Sequence, residues 1–321
     1  MPPSPLALPS HVFAGHREVL LERLRARGAA ALLWSGRRQA REPGLFERFR
    51  PDSDFFYLTG LREPEAALVL IPDRPGGQSL LFLRPNDPRE EAWDAPRLGL
   101  AAARETLALD EARSLEALPA DLPGLLRGRQ QLLLGTGGDE SFAPRALRHL
   151  SGSGLDQPRA WIEPQTLLLE QRLIKGRSEL ELLRRCAALA AEAHLEVMRH
   201  LRPGMLALEL EGRFGLSLRR GGAREAFPTL IAAGDTAQCL HDAANLGRLE
   251  AGQLLLVDGG AELGGYRSDV TRSLPVGGRL DPAQRALLEA LFAIQERLLR
   301  ALRPGLSVGA LEQLGARLQC E

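Results

Sequence analysis

The chain has 321 residues, 44% of them hydrophobic and 26% charged, with 41 basic side chains against 41 acidic ones. That length accommodates two domains of ordinary size, and the composition is that of a globular protein. A net charge of zero gives no electrostatic footprint for nucleic acid or an anionic membrane, and no uncharged apolar run approaches a membrane span.

Residues 1–10 are proline-rich, and residues 16–27 read as a charged amphipathic helix rather than a signal peptide. Apolar, β-prone runs predict strands at 29–34, 55–59, 66–71 and 79–83, with glycine and proline turns between them. A helix is expected at 88–93 and another buried strand at 130–134. Such alternation gives an α/β layer with a mixed sheet. Gly135-Thr136-Gly137-Gly138 follows the last of these strands, but it lacks the lysine of a P-loop and the spacing of a dinucleotide fingerprint, so it reads as a turn. Proline and glycine punctuation over 151–164 marks the expected linker. It divides a first domain, 1–165, from a second, 166–321.

The second half opens on a long amphipathic helix near 178–201, with Leu180, Leu183, Ala187, Ala190 or Ala191, His194 and Val197 as its apolar stripe. Ser178 and Glu181 have the spacing of a capping box. Helices follow at 207–219 and 282–302, and a last amphipathic helix begins at Val308. Arg202-Pro203-Gly204 and Arg303-Pro304-Gly305 end two of these helices alike. Three widely spaced cysteines (Cys186, Cys239, Cys320) argue against a disulfide scaffold and for a reducing, cytoplasmic compartment.

The chemistry concentrates between residues 254 and 272. An apolar run ends in Asp258, Gly264-Gly265 is a two-residue hairpin turn signal, and the return strand carries Asp269 and Thr271. With that turn setting the register, Asp258 faces Thr271, and Asp269 faces the residue two beyond Asp258. Side chains alternate along a strand, so both carboxylates project from one face. Two anions held that close call for a hard divalent cation; the alternative is a pair of solvated strand positions. His241 precedes the aspartate strand, although a lone histidine is more often a packed or surface residue. Cys239, two residues earlier, has no recognisable partners for thiol catalysis, and no Gly-x-Ser-x-Gly elbow occurs.

Several blocks together resemble the Xaa-Pro aminopeptidase (aminopeptidase P) family of pita-bread metallopeptidases. They are Phe49-Arg-Pro-Asp-Ser-Asp-Phe-Phe-Tyr-Leu-Thr-Gly60, Glu91-Ala-Trp-Asp-Ala-Pro-Arg-Leu-Gly99, Leu173-Ile-Lys-Gly-Arg-Ser-Glu-Leu-Glu-Leu-Leu-Arg184, Leu240-His241, Val257-Asp258-Gly-Gly and Ser268-Asp269-Val-Thr-Arg272. The resemblance implies a ribonuclease H-like amino-terminal domain followed by a partial pita-bread domain. It implies release of the residue preceding a proline from peptide substrates, with two Mn²⁺ per complete site. Asp258 would ligate one metal and Asp269 both, while His241 would bind substrate and stabilise the transition state. Two cations sharing a water acidify it and polarise the peptide carbonyl. Trp93 matches a residue that in relatives approaches a neighbouring subunit's active site, so a homo-oligomer is also admitted.

The chain departs from the family in ways that matter. The family completes its site with a histidine and two glutamates in motifs that do not occur by Glu321, and Glu289, Glu296 and Glu312 lack those surroundings. Thr236 and Asp242 stand where the family has an asparagine and a tyrosine. The expectation is therefore a carboxy-terminally truncated enzyme, inactive alone, with an uncovered apolar face in its second half. Alternatives are an Xaa-Pro dipeptidase of the same fold, or a non-catalytic binding protein that has lost its metals.

Overall fold

The run Ala29–Trp34 is apolar without alternation, the pattern of a strand covered on both faces, and all six residues of this strand, β1, are buried. The computed structural model describes residues 8–42, 45–151, 154, 156–239, 241 and 244–320. They fall into two compact units, Met1–Leu182 and Leu183–Glu321.

In the first unit, β1 joins β4 (Ala67–Leu70), β5 (Ser79–Leu83), β6 (Glu111–Ser114), β7 (Gln131–Gly135) and β8 (Ala160–Ile162) in a mixed sheet. Its order is β6-β5-β4-β1-β7-β8, antiparallel around β4 and parallel elsewhere. A small exposed ribbon pairs β2 (Ala40–Glu42) with β3 (Leu45–Phe46). Helices α1 (Ser10–Arg25), α2 (Ser53–Thr59), α4 (Leu100–Thr106) and α7 (Gln165–Leu173) cover one sheet face, burying Leu20, Leu24, Phe55, Leu58 and Leu168. Helices α5 (Leu118–Leu125) and α6 (Phe142–Ser151) cover the other over Leu32, Trp34, Val69 and Phe82. Helix α3 (Pro88–Trp93) stays on the surface, with Asp87 capping its amino terminus.

Two expectations fail here for local reasons. Residues 55–59 are helix, not strand. The Asp52 side chain accepts from Asp54 N (3.0 Å) and Phe55 N (2.9 Å), and Gly60 closes the helix at φ +72°. The punctuated stretch 151–164 also contains β8, which adds a strand to the sheet edge. Arg17, buried on α1, donates to the carbonyls of Leu58 (2.7 Å), Leu107 (3.0 Å) and Ala108 (2.5 Å).

Helix α8 (Arg177–His200) leads into the second unit. Its cap differs from the expected Ser178–Glu181 box: Glu179 reaches back to accept from Gly176 N at 2.7 Å. The buried stripe is Leu182, Cys186, Ala190, Ala193, His194 and Val197, whereas Leu180 and Ala187 face solvent. Helix α9 (Ala207–Arg220), β9 (Arg224–Glu225) and β10 (Leu230–Ala233) follow. A ribbon of β11 (Leu254–Gly259), β12 (Ala261–Leu263), β13 (Tyr266–Arg267) and β14 (Val270–Pro275) comes next, then α10 (Pro282–Ala301) and α11 (Val308–Cys320). Two three-stranded sheets result, β10-β11-β14 and β13-β12-β9. Leu287, Leu291, Phe292 and Leu299 on α10, and Val308 on α11, are exposed, so the uncovered apolar surface among the described residues lies on these helices rather than on the expected sheet face. Among the described residues no helix is long and apolar enough to cross a membrane.

Candidate metal centre

The ribbon from Leu254 to Pro275 is one hairpin that serves two sheets. Asp258 pairs with Thr271 and Gly259 with Val270; beyond the bend, Glu262 pairs with Arg267 and Leu263 with Tyr266. One register therefore runs from base to tip, where Gly264 and Gly265 turn at φ +62° and +88°. Continuing it across the bend sets Gly260 opposite Asp269. The bend needs glycine there, because a Cβ on Gly260 would lie 1.8 Å from the Ser268 carbonyl oxygen. Ser268 secures the crossing: its N–H donates to Ala261 O (2.9 Å), and its hydroxyl accepts from Ala261 N and donates to Cys186 O, both at 3.0 Å.

On β11 the buried residues are Leu255, Val257 and Gly259, and the half-buried face carries Leu254, Leu256 and Asp258. Gly259 admits no side chain, since a Cβ would meet Phe214 of α9 at 2.6 Å. Asp258 lies on a central strand, with Leu230 of β10 on one side and Thr271 on the other. The two carboxyl groups meet. Partial desolvation raises the Asp269 pKa, and the charge of Asp258 and a hydrogen bond to it raise it further. Asp258 Oδ1 is buried without a hydrogen-bond partner. An orphaned carboxylate oxygen beside a second carboxyl group fits a hard cation, which would relieve the repulsion and satisfy the orphan. Among the described residues, however, no third histidine, cysteine, aspartate or glutamate joins them.

His194 packs behind the pair. Its Nε2 lies 3.0 Å from Val270 O, and its ring meets Phe214 edge-on at 5.3 Å. Burial lowers its pKa, and because a carbonyl oxygen only accepts, Nε2 is the nitrogen that donates to Val270 O. His241 lies on an exposed turn of the β10–β11 connection, and no contact joins it to the pair among the described residues. Trp93, in the first unit, ends α3 with 92% of its surface exposed. Thr236 is taken up locally, bonding the backbone of Ala233, and Asp242 falls outside the described residues. Glu289 and Glu296 serve α10 itself through Arg285 and Arg300. A groove of about 280 Å³ runs from Thr271 and Ser273 to Leu288, Leu291 and Phe292 of α10.

Sequence reading missed Asn245. It is buried and left-handed (φ +53°), and its amide contacts Ile231 N (2.8 Å), Thr229 O (2.7 Å) and Glu211 Oε2 (2.7 Å). The available signal was its type, since asparagine tolerates the left-handed region better than other residues bearing a side chain.

Comparison with known proteins agrees with this architecture. The model for the aminopeptidase P amino-terminal domain matches residues 13–134, and that for metallopeptidase family M24 matches residues 181–318. Xaa-Pro aminopeptidase of Escherichia coli is 34% identical over 305 residues, 92% of this chain and 69% of the relative. The Pseudomonas aeruginosa aminopeptidase PepP superposes with a TM-score of 0.93 at 31% identity, over 98% of this chain and 72% of the other. Escherichia coli aminopeptidase P with the inhibitor Pro-Leu superposes at 0.91 and 32% identity, over 97% and 72%. With both domain models matched in order and the pita-bread fold shared, the chain belongs to the aminopeptidase P family of M24 metallopeptidases, which are metal-dependent exopeptidases.

Proposed function

We propose that this chain acts on peptides with proline in second position, releasing the residue before it, with Mn²⁺ held at Asp258 and Asp269. The observation that carries the metal assignment is the convergence of the two carboxyl groups around the orphaned Asp258 Oδ1. The substrate class rests on the relatives, which are Xaa-Pro aminopeptidases, one of them solved with Pro-Leu.

When bound, the divalent ions supply Lewis acidity to the scissile carbonyl and favour ionisation of the attacking water. The chain's own residues have separate tasks. Asp258, on a central strand, would hold an ion with a rigid carboxylate, and Asp269, across the bend, would supply the second carboxylate to the same centre. His241, exposed on its turn, is free to hydrogen-bond the substrate carbonyl as charge develops on it. Trp93, projecting from α3, is assigned to substrate contact with a neighbouring subunit in a homo-oligomer. A ribonuclease H-like domain precedes the metal-bearing one; the boundary proposed at 165/166 falls at the start of α7, whose Leu167 and Leu168 still pack in the first core, so the division of labour changes hands after that helix. Three free cysteines, two of them exposed, support a cytoplasmic setting.

Titration with Mn²⁺, followed by calorimetry and by the Mn²⁺ paramagnetic signal, tests the reading. With no third ligand among the described residues, weak binding is expected, and D258N and D269N each abolish it; Mn²⁺ binding indifferent to the double variant overturns the assignment. Arg-Pro-Pro against Arg-Ala-Pro tests the substrate class. Slow, Mn²⁺-dependent release of arginine from the first alone is expected, and equal cleavage of both would refute proline selectivity.

A further inference from the structure

The free edge of β10 is not left open: the side chain of Asn245 closes it. Asn245 Oδ1 accepts from Ile231 N at 2.8 Å, and Nδ2 donates to Thr229 O at 2.7 Å. Those two backbone groups flank Leu230 and point the same way, away from β11. A neighbouring parallel strand would use the same two groups, the N–H and C=O of one of its residues bridging to the residues either side of its partner. The amide thus stands in for a missing strand. It also fixes the pairing on the other side, because the N–H and C=O of Leu230 itself must then point at β11, where Leu230 is paired with Asp258.

The amide is anchored in turn. Its second N–H donates to Glu211 Oε2 of α9 at 2.7 Å. The chain after it is tied to the α8–α9 connection through Ala207 N to Gly247 O (2.9 Å), Leu249 N to Met205 O (2.9 Å) and the Leu206–Arg248 bridge. Four residues before it stands His241. Asn245 is 4% exposed, so solvent competes little for these bonds, and its left-handed backbone aims the side chain back at the strand.

We infer that Asn245 is a positioning residue for the metal site and the His241 turn, one side-chain amide setting both the strand register of Asp258 and the point at which the histidine-bearing connection returns to the sheet. This rests on the assignment of metal to Asp258 and Asp269.

The test separates the amide from the backbone. N245G keeps the left-handed conformation open while deleting the amide; E211A keeps the amide and deletes its anchor. Two readouts are taken on the full chain: hydrogen exchange of the Ile231 amide, and Mn²⁺ affinity, with D258N alongside. In N245G, Ile231 exchange is expected to rise at least tenfold and Mn²⁺ affinity to fall about tenfold, as for loss of an outer support of a metal ligand, while protection of β1 in the first unit is unchanged. E211A, altered on a helix surface, covers the case in which N245G does not fold, and is expected to move both readouts in the same direction by less than N245G does. Unchanged Ile231 exchange overturns the inference, and so does faster exchange with Mn²⁺ affinity intact. If D258N leaves Mn²⁺ binding untouched, the metal assignment fails and the inference falls with it, whereas a clamp that fails alone leaves the D258N effect in place.

Discussion

Replacing Gly260 by alanine puts a methyl group where the hairpin has no room. Its Cβ would sit 1.8 Å from the Ser268 carbonyl oxygen and 2.8 Å from the carbonyl carbon. An ordinary carbon–oxygen contact is about 3.3 Å, so the strands must part by about 1.5 Å. Both obstructing atoms are backbone, so no side-chain rotation relieves them. Parting the strands breaks Ser268 N to Ala261 O and strains the Ser268 hydroxyl between Ala261 and Cys186. Two or three hydrogen bonds at about 1 kcal/mol each give a loss of roughly 3 kcal/mol, at the upper end of overpacking costs. Asp269 follows Ser268 directly, so the same displacement pulls its carboxylate from Asp258, and the proposed Mn²⁺ binding is expected to weaken by at least about tenfold. Urea denaturation by circular dichroism and a Mn²⁺ titration measure the two effects. G264A is the control: at φ +62° it costs about 1–2 kcal/mol at the tip and leaves metal binding alone. The reasoning is refuted if G260A matches the native chain in both assays, or if G264A impairs Mn²⁺ binding as much as G260A.

Three further outcomes are expected. The folded-state pKa of Asp269 is raised, so its stabilising contribution is fullest at low pH and is lost as pH climbs from about 3.9 through the folded value. D258N should flatten that loss in chelator, by under about 1 kcal/mol because Asp269 is exposed, in thermal melts from acid to neutral pH; an unchanged profile counts against the charge contact. His194 has a lowered folded pKa, so its contribution is present above about pH 6.5 and is lost on acidification. H194F should melt lower at neutral pH, having lost the bond to Val270, yet fall less between pH 7.5 and 5.5; parallel curves would contradict this. Burial pulls the Arg17 guanidinium down to about 10, still charged at neutral pH. R17M returns that desolvation cost but strands three carbonyls, a net loss of about 3 kcal/mol. Tryptophan fluorescence reports it cleanly, since Trp34, Trp93 and Trp161 all lie in the first unit; a loss below about 1 kcal/mol would show those carbonyls satisfied otherwise.

Strands β1 and β5 and helix α3 were legible because their patterns are pure: unbroken apolar runs, and a proline following a capping aspartate. The register that pairs Asp258 with Thr271 was legible because two glycines leave a hairpin one way to turn. Residues 55–59 misled because Phe-Phe-Tyr favours strands, while the helix depends on Asp52 before the run and Gly60 after it. The buried stripe of α8 is partly out of phase with its apolar periodicity because the small residues Cys186 and Ala193 face the core while Leu180 does not. Asn245 was hidden for a deeper reason. Its importance lies in an edge of β10 that no strand among the described residues covers, which only the strand order β10-β11-β14 reveals.

The unbroken register of the long hairpin also governs which changes of length it can absorb. Residues added in pairs between Gly264 and Gly265 extend the loop and leave every facing partner where it was. A single residue inserted between Asp258 and Gly260 exchanges inside for outside along one arm and turns one acidic group away from the other. Related chains should therefore vary freely in tip length, while the spacing from Asp258 to the bend stays constant.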